Sequence, residues 1–444
     1  MYALHPWKTY LLASLRDNAD AMKRVRRILG AIKVPLDSVR IFTPEETPDV
    51  AREINAWSPD ENAAIPWQHQ RALVFTAIRI EDVERSEPLP APLPEGVTET
   101  DLRTLLGYFP LVRDTHNPDD DEVSNFVCWN TQDFGVMLGC PHGCRYCGIG
   151  EKSKMTVLGM NLEDYMNKVV GPTIERHPGQ KCFRLLGWSA DITTFEPEYG
   201  AFRLFLDKLA EYDGRYGYFH TAGDNVDWIK DLPHRDRLIG VWSLTCDIAT
   251  TAIEPGSPSP EARIAAAEKC RKWGLPVRFK FKPTIPVRNW RHEYARLIEL
   301  IFRRTVPESL GFALLMWMTA DQMRERIDTS LLDPRFVREA ERYKDELRDV
   351  RTGPFPHALR AEVYRFLIRE VRKHDKHIPL YISTESREMW DDIGNDLGQD
   401  PHSFICGCNP IEPPGPTLVP SEQLAHSTYF SARGVSDGDT VAQT

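Results

Sequence analysis

Cys140-Pro141-His142-Gly143-Cys144-Arg145-Tyr146-Cys147-Gly148 sets three cysteines at spacings of four and three residues, with an aromatic residue just before the last. Three thiolates are one short of the four that fill a closed zinc or iron–sulfur site. A cluster held by three cysteines keeps one iron free of protein ligands, and an open coordination position is where chemistry takes place. Zinc is the competing reading, because His142 or a distant cysteine could complete a tetrahedral site. Zinc sites, however, commonly come as C-x2-C pairs with a second pair some way off, and this motif opens with C-x3-C.

The motif follows a strand-like run, FGVML (134–138), and a regular alternation begins there. Further strands are predicted at CFRLL (182–186), GYFH (217–220), GVWSL (240–244), VRFKF (277–281) and GFALL (311–315). Helical stretches lie between them, near 161–176, 199–212, 225–231, 259–273 and 291–303. Six β/α units imply an α/β fold with a parallel sheet flanked by helices, since parallel strands need crossovers. In such folds active sites form at the C-terminal ends of strands, which is where the cysteine motif stands.

Outside this region, residues 1–85 read as a small N-terminal α/β unit, with strands at KTYLLAS (8–14), Val39–Phe42 and Ala72–Ile80. A basic helical stretch at 17–31 reads as a solvated face. Residues 86–124, Pro-rich and then acidic, read as a linker, and 125–320 as the β/α region. Residues 321–409 form an extension of helices and a strand, and 410–444 read as a disordered tail.

The chain has 444 residues, 41% of them hydrophobic and 27% charged, with a formal net charge of −10. That balance disfavours a dedicated nucleic-acid binder, which is usually basic, but not a local basic groove. No signal peptide is read at the start, and no apolar run approaches the ~20 residues of a membrane helix. Nine cysteines, an odd count with three in one tight motif, are not a disulfide framework. Free thiols, and a cluster that must accept an electron, suit a reducing cytoplasm.

The C-x3-C-x-aromatic-C pattern resembles that of the radical S-adenosylmethionine enzymes. The resemblance implies a partial (β/α)6 TIM-like barrel, a [4Fe-4S] cluster on Cys140, Cys144 and Cys147, and S-adenosylmethionine (AdoMet) on the open iron. It also implies a flavodoxin- or ferredoxin-type electron donor and a 5'-deoxyadenosyl radical that takes hydrogen from a substrate. Within that superfamily, SLTCDIATTAIEPGSPSPEARIAAAEKCRKWGLPVRFKFKPTIPVRNWRHEY (243–294) is similar to spore photoproduct lyase and its relatives, which repair a thymine dimer in DNA. Ser243, Glu254-Pro255-Gly256, Ser259-Pro260, Arg263-Ile264, Gly274, Pro283, Trp290 and Tyr294 carry that likeness, and FHTAGDNVDWIK (219–230) and 357–391 extend it. The resemblance implies cofactor contacts from Tyr146, Ser189, Asp191, Thr221 and Ser243, although a lone polar residue at a strand end equally caps the next helix.

There are departures from the lyase pattern. The hydrogen-donor cysteine of the lyases, near the end of the second strand, is replaced by Gly187-Trp188-Ser189, a lysine expected after the third strand is Ala222, and Gly148 stands where a second aromatic residue is expected. These changes point to a non-DNA substrate: a metabolite, a natural-product intermediate or a peptide. DNA repair and a non-catalytic zinc module are the alternatives.

Phe404-Ile405-Cys406-Gly407-Cys408 is a second cysteine site. Cys406 and Cys408 could supply the missing hydrogen atom from a tail folded over the barrel mouth. They could instead ligate an auxiliary cluster with Cys128 or Cys182, hold a soft metal, exchange with a disulfide, or simply be incidental thiols. Trp188, Phe195, Trp242 and Trp317 could line a stacking pocket or belong to the core.

Overall fold

A computed structural model of the chain describes residues 1–60, 65–80, 93–108, 110–115, 126–147, 154–188, 190–408, 410 and 413–415. In chain order its strands are β1 (Thr9–Leu12), β2 (Arg40–Phe42), β3 (Ala72–Thr76), β4 (Val112–Thr115), β5 (Phe126–Val127), β6 (Thr131–Leu138) and β7 (Met155–Gly159). They continue as β8 (Cys182–Trp188), β9 (Tyr216–Thr221), β10 (Leu238–Ser243), β11 (Val277–Thr284), β12 (Ser309–Leu314), β13 (Leu380–Ile382) and β14 (Glu385–Ser386).

The six strands expected around the cysteine motif are β6 and β8 to β12. They lie side by side in chain order, every neighbouring pair parallel. β13 extends the run in parallel beyond β12. On the other edge β7 pairs antiparallel with β6 and leads on to β3, β1 and β2. The N-terminal α/β region is therefore part of the same sheet. Residues 93–115, within the stretch read as a linker, carry a helix (Glu99–Leu105) and β4, which pairs antiparallel with β6. Most of the expected tail, 410–444, lies outside the described residues.

Side-chain alternation along these strands explains the architecture. One face carries Phe183, Leu185, Phe219, Trp242, Phe279, Phe281, Leu310 and Phe312, all buried in the main hydrophobic core against the helices. The other face carries Asp133, Arg184, Tyr218, His220, Ser243, Lys280 and Lys282, and these line a cavity of about 650 Å³. The sheet thus has an apolar outer face and a polar inner one. Trp242 and Phe195 belong to the core, whereas Trp317 lines the cavity and is 55% exposed.

Local sequence starts the helices where the strands need them. Ser259 accepts from the Ala262 amide ahead of the helix Pro260–Lys272, with Pro at its first position. Thr319 and Gln322 form a capping box before Ala320–Arg326. The basic helix Ala19–Ala31 departs from a fully solvated face. Arg24 is buried, donating to the Tyr199 carbonyl at 2.9 Å and to Glu163 at 2.6 Å, while Lys23, Arg26 and Arg27 are exposed. A guanidinium surrounded by acceptors can be buried where a bare charge cannot.

Beyond β13, Glu385 is fully buried and accepts from Arg360 at 3.1 Å and Tyr364 at 2.6 Å. Removing one partner of such a pair leaves an uncompensated buried charge. Arg360→Met should therefore destabilise the fold by about 3–5 kcal/mol, and adding Glu385→Leu should restore much of the loss. Thermal and urea denaturation of both variants check this; equal midpoints for Arg360→Met and wild type would contradict it.

Candidate functional site

The cysteine loop leaves β6 through Gly139, whose φ of +100° suits glycine. It is held from below by the segment 253–263. The Arg145 amide donates to the Ile253 carbonyl at 2.9 Å, and the Gly256 amide to the His142 carbonyl at 2.8 Å. The Tyr146 hydroxyl donates to Glu254 Oε1 at 2.6 Å. Glu254 is itself paired with Arg263, both fully buried, and Arg263 also donates to the carbonyls of Pro258 (2.9 Å) and Ser243 (3.1 Å). A Cβ on Gly256 would overlap the backbone oxygens of Pro141 and His142, so only glycine fits there. From the other side, Arg71 donates to the Cys140 carbonyl at 3.0 Å.

His142 is fully engaged. Nδ1 lies 3.1 Å from the Gly256 carbonyl, and Nε2 lies 3.0 Å from Asp191 Oδ2. The carboxylate of Asp191 also accepts from the Thr193 and Thr221 hydroxyls (2.7 and 2.6 Å) and the Ala222 amide (2.9 Å). Burial pushes the Asp191 pKa up, but these bonds more than offset it and hold the pKa below the ordinary carboxylate value.

Cys140, Cys144 and Cys147 all border the cavity. Burial pushes the Cys140 thiol up to about 12 and Cys144 well above its ordinary value. Such thiols become good ligands when a cation compensates the lost solvation. Among the described residues no group of three His, Cys, Asp or Glu side chains is placed to hold one metal ion. A zinc ion needs its ligands about 2.0–2.3 Å from a single point, whereas a cluster takes each cysteine on a separate iron. With His142 already bound at both nitrogens, the donor set fits a cluster better than zinc.

The remaining residues expected at the site fall as follows. Tyr146, Asp191, Thr221 and Ser243 all line the same cavity. Ser243 Oγ lies 2.8 Å from His220 Nε2, and burial lowers the pKa of His220 well below the ordinary imidazole value. Ser189 and the side chain of Trp188 lie outside the described residues.

Cys406 and Cys408 border this cavity too, as does Cys128. Their segment does not fold over the mouth. It threads beneath the strands: the Pro410 carbonyl accepts from the Cys182 amide at the start of β8 (3.0 Å), the Gly407 carbonyl from Arg278 near the start of β11 (3.1 Å), and the Phe404 carbonyl from Trp129 Nε1 (2.9 Å). Gly407 is required, because a Cβ there would overlap the Tyr381 hydroxyl and press on Lys280.

Lys280 Nζ stands 3.0 Å from Cys408 Sγ. A hydrogen bond from Cys406, then the charges of Lys280 and Arg184, hold the Cys408 thiol well below its ordinary pKa. Burial and the neighbouring Cys408 push Cys406 well above. The two groups are therefore driven apart in acidity, Cys408 toward the thiolate and Cys406 toward the thiol. Cys182 packs in a small cluster with Tyr218, Ile239 and Val241, against which Cys408 lies.

The spore photoproduct lyase family model matches residues 132–343. Spore photoproduct lyase of Bacillus subtilis (strain 168) is 25% identical over 165 residues, 36% of this chain and 48% of that protein, so the match spans about half of the relative's length. Among solved structures, a spore photoproduct lyase double mutant with bound AdoMet and dinucleoside spore photoproduct superposes with a TM-score of 0.56 at 14% identity, covering 86% of this chain and 99% of that one. A complex of the enzyme with dinucleoside spore photoproduct gives 0.55 at 15%, with the same coverage. Over residues 132–343 and in its fold, the chain is similar to spore photoproduct lyase.

The segment that carries the family likeness, 254–263, is thus the one that docks the cysteine loop. Sequence reading took it as a mark of kinship and missed its task. It also missed Arg184, Asp133, Tyr218, Lys280 and Lys282. A signal was present: Arg278, Lys280 and Lys282 alternate with Val277, Phe279 and Phe281, and period-2 cations in a buried strand face an enclosed polar space. Lys280→Met should raise the pKa of Cys408 and move the midpoint of its alkylation profile to higher pH. Peptide mass spectrometry of iodoacetamide-treated protein across pH reads this directly; an unshifted profile would show that Lys280 does not hold the thiolate.

Proposed function

We propose that this chain is a radical S-adenosylmethionine enzyme in which Cys140, Cys144 and Cys147 hold a [4Fe-4S] cluster, acting on a non-DNA substrate such as a metabolite, natural-product intermediate or peptide. The observation that carries the reading is one cavity bordered both by the three-cysteine loop and by the Cys406–Cys408 pair. When bound, cluster and AdoMet supply a 5'-deoxyadenosyl radical that takes a hydrogen atom from substrate.

The chain's own residues have distinct tasks in this reading. Glu254, Arg263 and Tyr146 fix the loop, so that the three thiols are presented together. Tyr146, Ser189 and Ser243 contact the cofactor. Asp191 and Thr221 border the same space, and they act as positioning residues through His142. Cys406, kept protonated by burial, gives its S–H hydrogen to the substrate-derived carbon radical. A C–H bond forms and a sulfur radical remains, which one electron and one proton from an external flavodoxin- or ferredoxin-type donor restore to the thiol. A reducing cytoplasm suits both thiols and donor. Among the described residues no helix is long and apolar enough to cross a membrane.

DNA repair is the second reading, favoured by the cations Arg113, Arg184, Lys280, Lys282 and Arg351 around the cavity. Arg184 is already neutralised by Asp133, and Lys280 serves the Cys408 thiolate. With a chain charge of −10, little basic surface is left over for a duplex.

Anaerobically reconstituted protein with a reductant and AdoMet should form 5'-deoxyadenosine, and Cys144→Ala should abolish this. Cys406→Ala should still form 5'-deoxyadenosine on substrate but lose the hydrogen-quenched product. Unchanged turnover and product in both Cys406→Ala and Cys408→Ala would remove the hydrogen-donor role. Salt-sensitive, damage-selective binding to UV-irradiated oligonucleotides would replace the non-DNA substrate by DNA.

A further inference from the structure

Lys282 is a cation of the inner face to which the proposed radical chemistry gives no task. Its Nζ donates to Thr384 Oγ1 at 3.0 Å and Ser383 Oγ at 3.2 Å, and it sits 4.6 Å over the ring of Trp317. Among the described residues no carboxylate lies within ion-pair distance of it. Of three ammonium protons, two are used, and the two hydroxyls, 3.3 Å apart, share one hydrogen bond, which leaves one hydroxyl proton to donate outward. The group is a cluster of donors with a positive charge and no carboxylate paired to it; the thiols of Cys128 and Cys408 act on it only through space. Burial, with Lys280 nearby, lowers the Lys282 pKa to about 8, so most of the charge is kept near neutrality at a desolvation cost that an anion would relieve.

The backbone supports the same conclusion independently. Five described non-glycine residues have positive φ, and two of them, Trp317 (φ 56°) and Thr384 (φ 58°), line this cavity and touch Lys282. A tryptophan and a β-branched threonine are poorly suited to that region, and such strain persists only where surroundings enforce it. Here they do. The Trp317 amide donates to the Arg351 carbonyl at 3.0 Å, and Thr384 is fixed by its neighbours: the Ser383 amide donates to the Phe312 carbonyl at 2.8 Å, and Glu385 is locked by Arg360 and Tyr364. The result is a half-exposed indole turned over a cavity-facing ammonium, where a soluble protein otherwise has little reason to leave one.

We infer that Lys282, Ser383, Thr384 and Trp317 form a substrate subsite for an oxyanion, phosphate or carboxylate, carried on a planar ring. The ammonium and hydroxyls take the oxyanion by charge-assisted hydrogen bonds, and the ring stacks on the indole. This assigns a substrate class to the cavity and in that respect rests on the reading of it as a substrate site.

The full chain without cluster serves for the test, by isothermal titration with phenyl phosphate, benzoate, inorganic phosphate and phenol. Phenyl phosphate or benzoate should bind about tenfold or more tightly than inorganic phosphate and phenol, and whichever of the two is preferred tells phosphate from carboxylate. Lys282→Met should weaken the ring oxyanion by about tenfold or more, and Ser383→Ala by severalfold. Trp317→Leu should reduce its affinity to that of inorganic phosphate at an unchanged thermal midpoint. Phenol binding as tightly as phenyl phosphate, full affinity in both Lys282→Met and Ser383→Ala, or displacement of phenyl phosphate by AdoMet would each overturn the subsite. Failure to cleave AdoMet would leave these binding results standing, and loss of ring-oxyanion binding would leave the radical chemistry standing.

Discussion

The buried pair of Glu254 and Arg263 is the contact on which the site depends. Taking two charges out of water is expensive, and their mutual attraction repays it only when further hydrogen bonds complete the shell. Here the shell is complete: Tyr146 donates to the carboxylate, and the guanidinium reaches two carbonyls, one of them Ser243 at the end of β10. One ion pair thereby joins the cysteine loop after β6 to the end of β10, three strands along the sheet. Gly256 brings the backbone of that segment against His142, and His142 passes the constraint to Asp191, Thr193 and Thr221 at the ends of β8 and β9. The strand ends are therefore set relative to the three cysteines by the chain's own contacts, which is the preorganisation a reactive site needs.

A second constraint works from the opposite side. The segment 404–410 is threaded under the sheet by hydrogen bonds to Trp129, Arg278 and the start of β8. It brings Cys408 to the ammonium of Lys280 and leaves Cys406 protonated beside it. Here the inner alternation supplies Asp133, Arg184, Tyr218, His220, Lys280 and Lys282. Enclosed charge of this kind is costly for stability and is explained by use.

Much of the fold could be read from the chain, because six strands with apolar alternation and turn residues between them leave few topologies open. The cysteine loop was legible for the same reason: its spacing is local. What was not legible is what depends on distant contacts. β4 and β7 are short strands whose place is set by pairing with β6. Arg24 looks like its exposed neighbours until Tyr199 and Glu163 arrive to surround it. Asp191 looked like a cofactor contact, and its oxygens turn out to hold the protein's own His142, Thr193 and Thr221. For Cys406 and Cys408 the sequence left a place over the barrel mouth as one reading among several, since nothing in a stretch of five residues says that Pro410 will pair with the backbone of β8.

The central claim is that the loop from Cys140 to Cys147 presents three thiols to a cluster with one open iron. Electron paramagnetic resonance of the anaerobically reconstituted, reduced full-length protein, with iron, sulfide and zinc analysis, tests it most directly. The account predicts about four irons and four sulfides per chain and a reduced-cluster signal that changes when AdoMet is added. Zinc in place of iron, or a cluster signal indifferent to AdoMet, would contradict it.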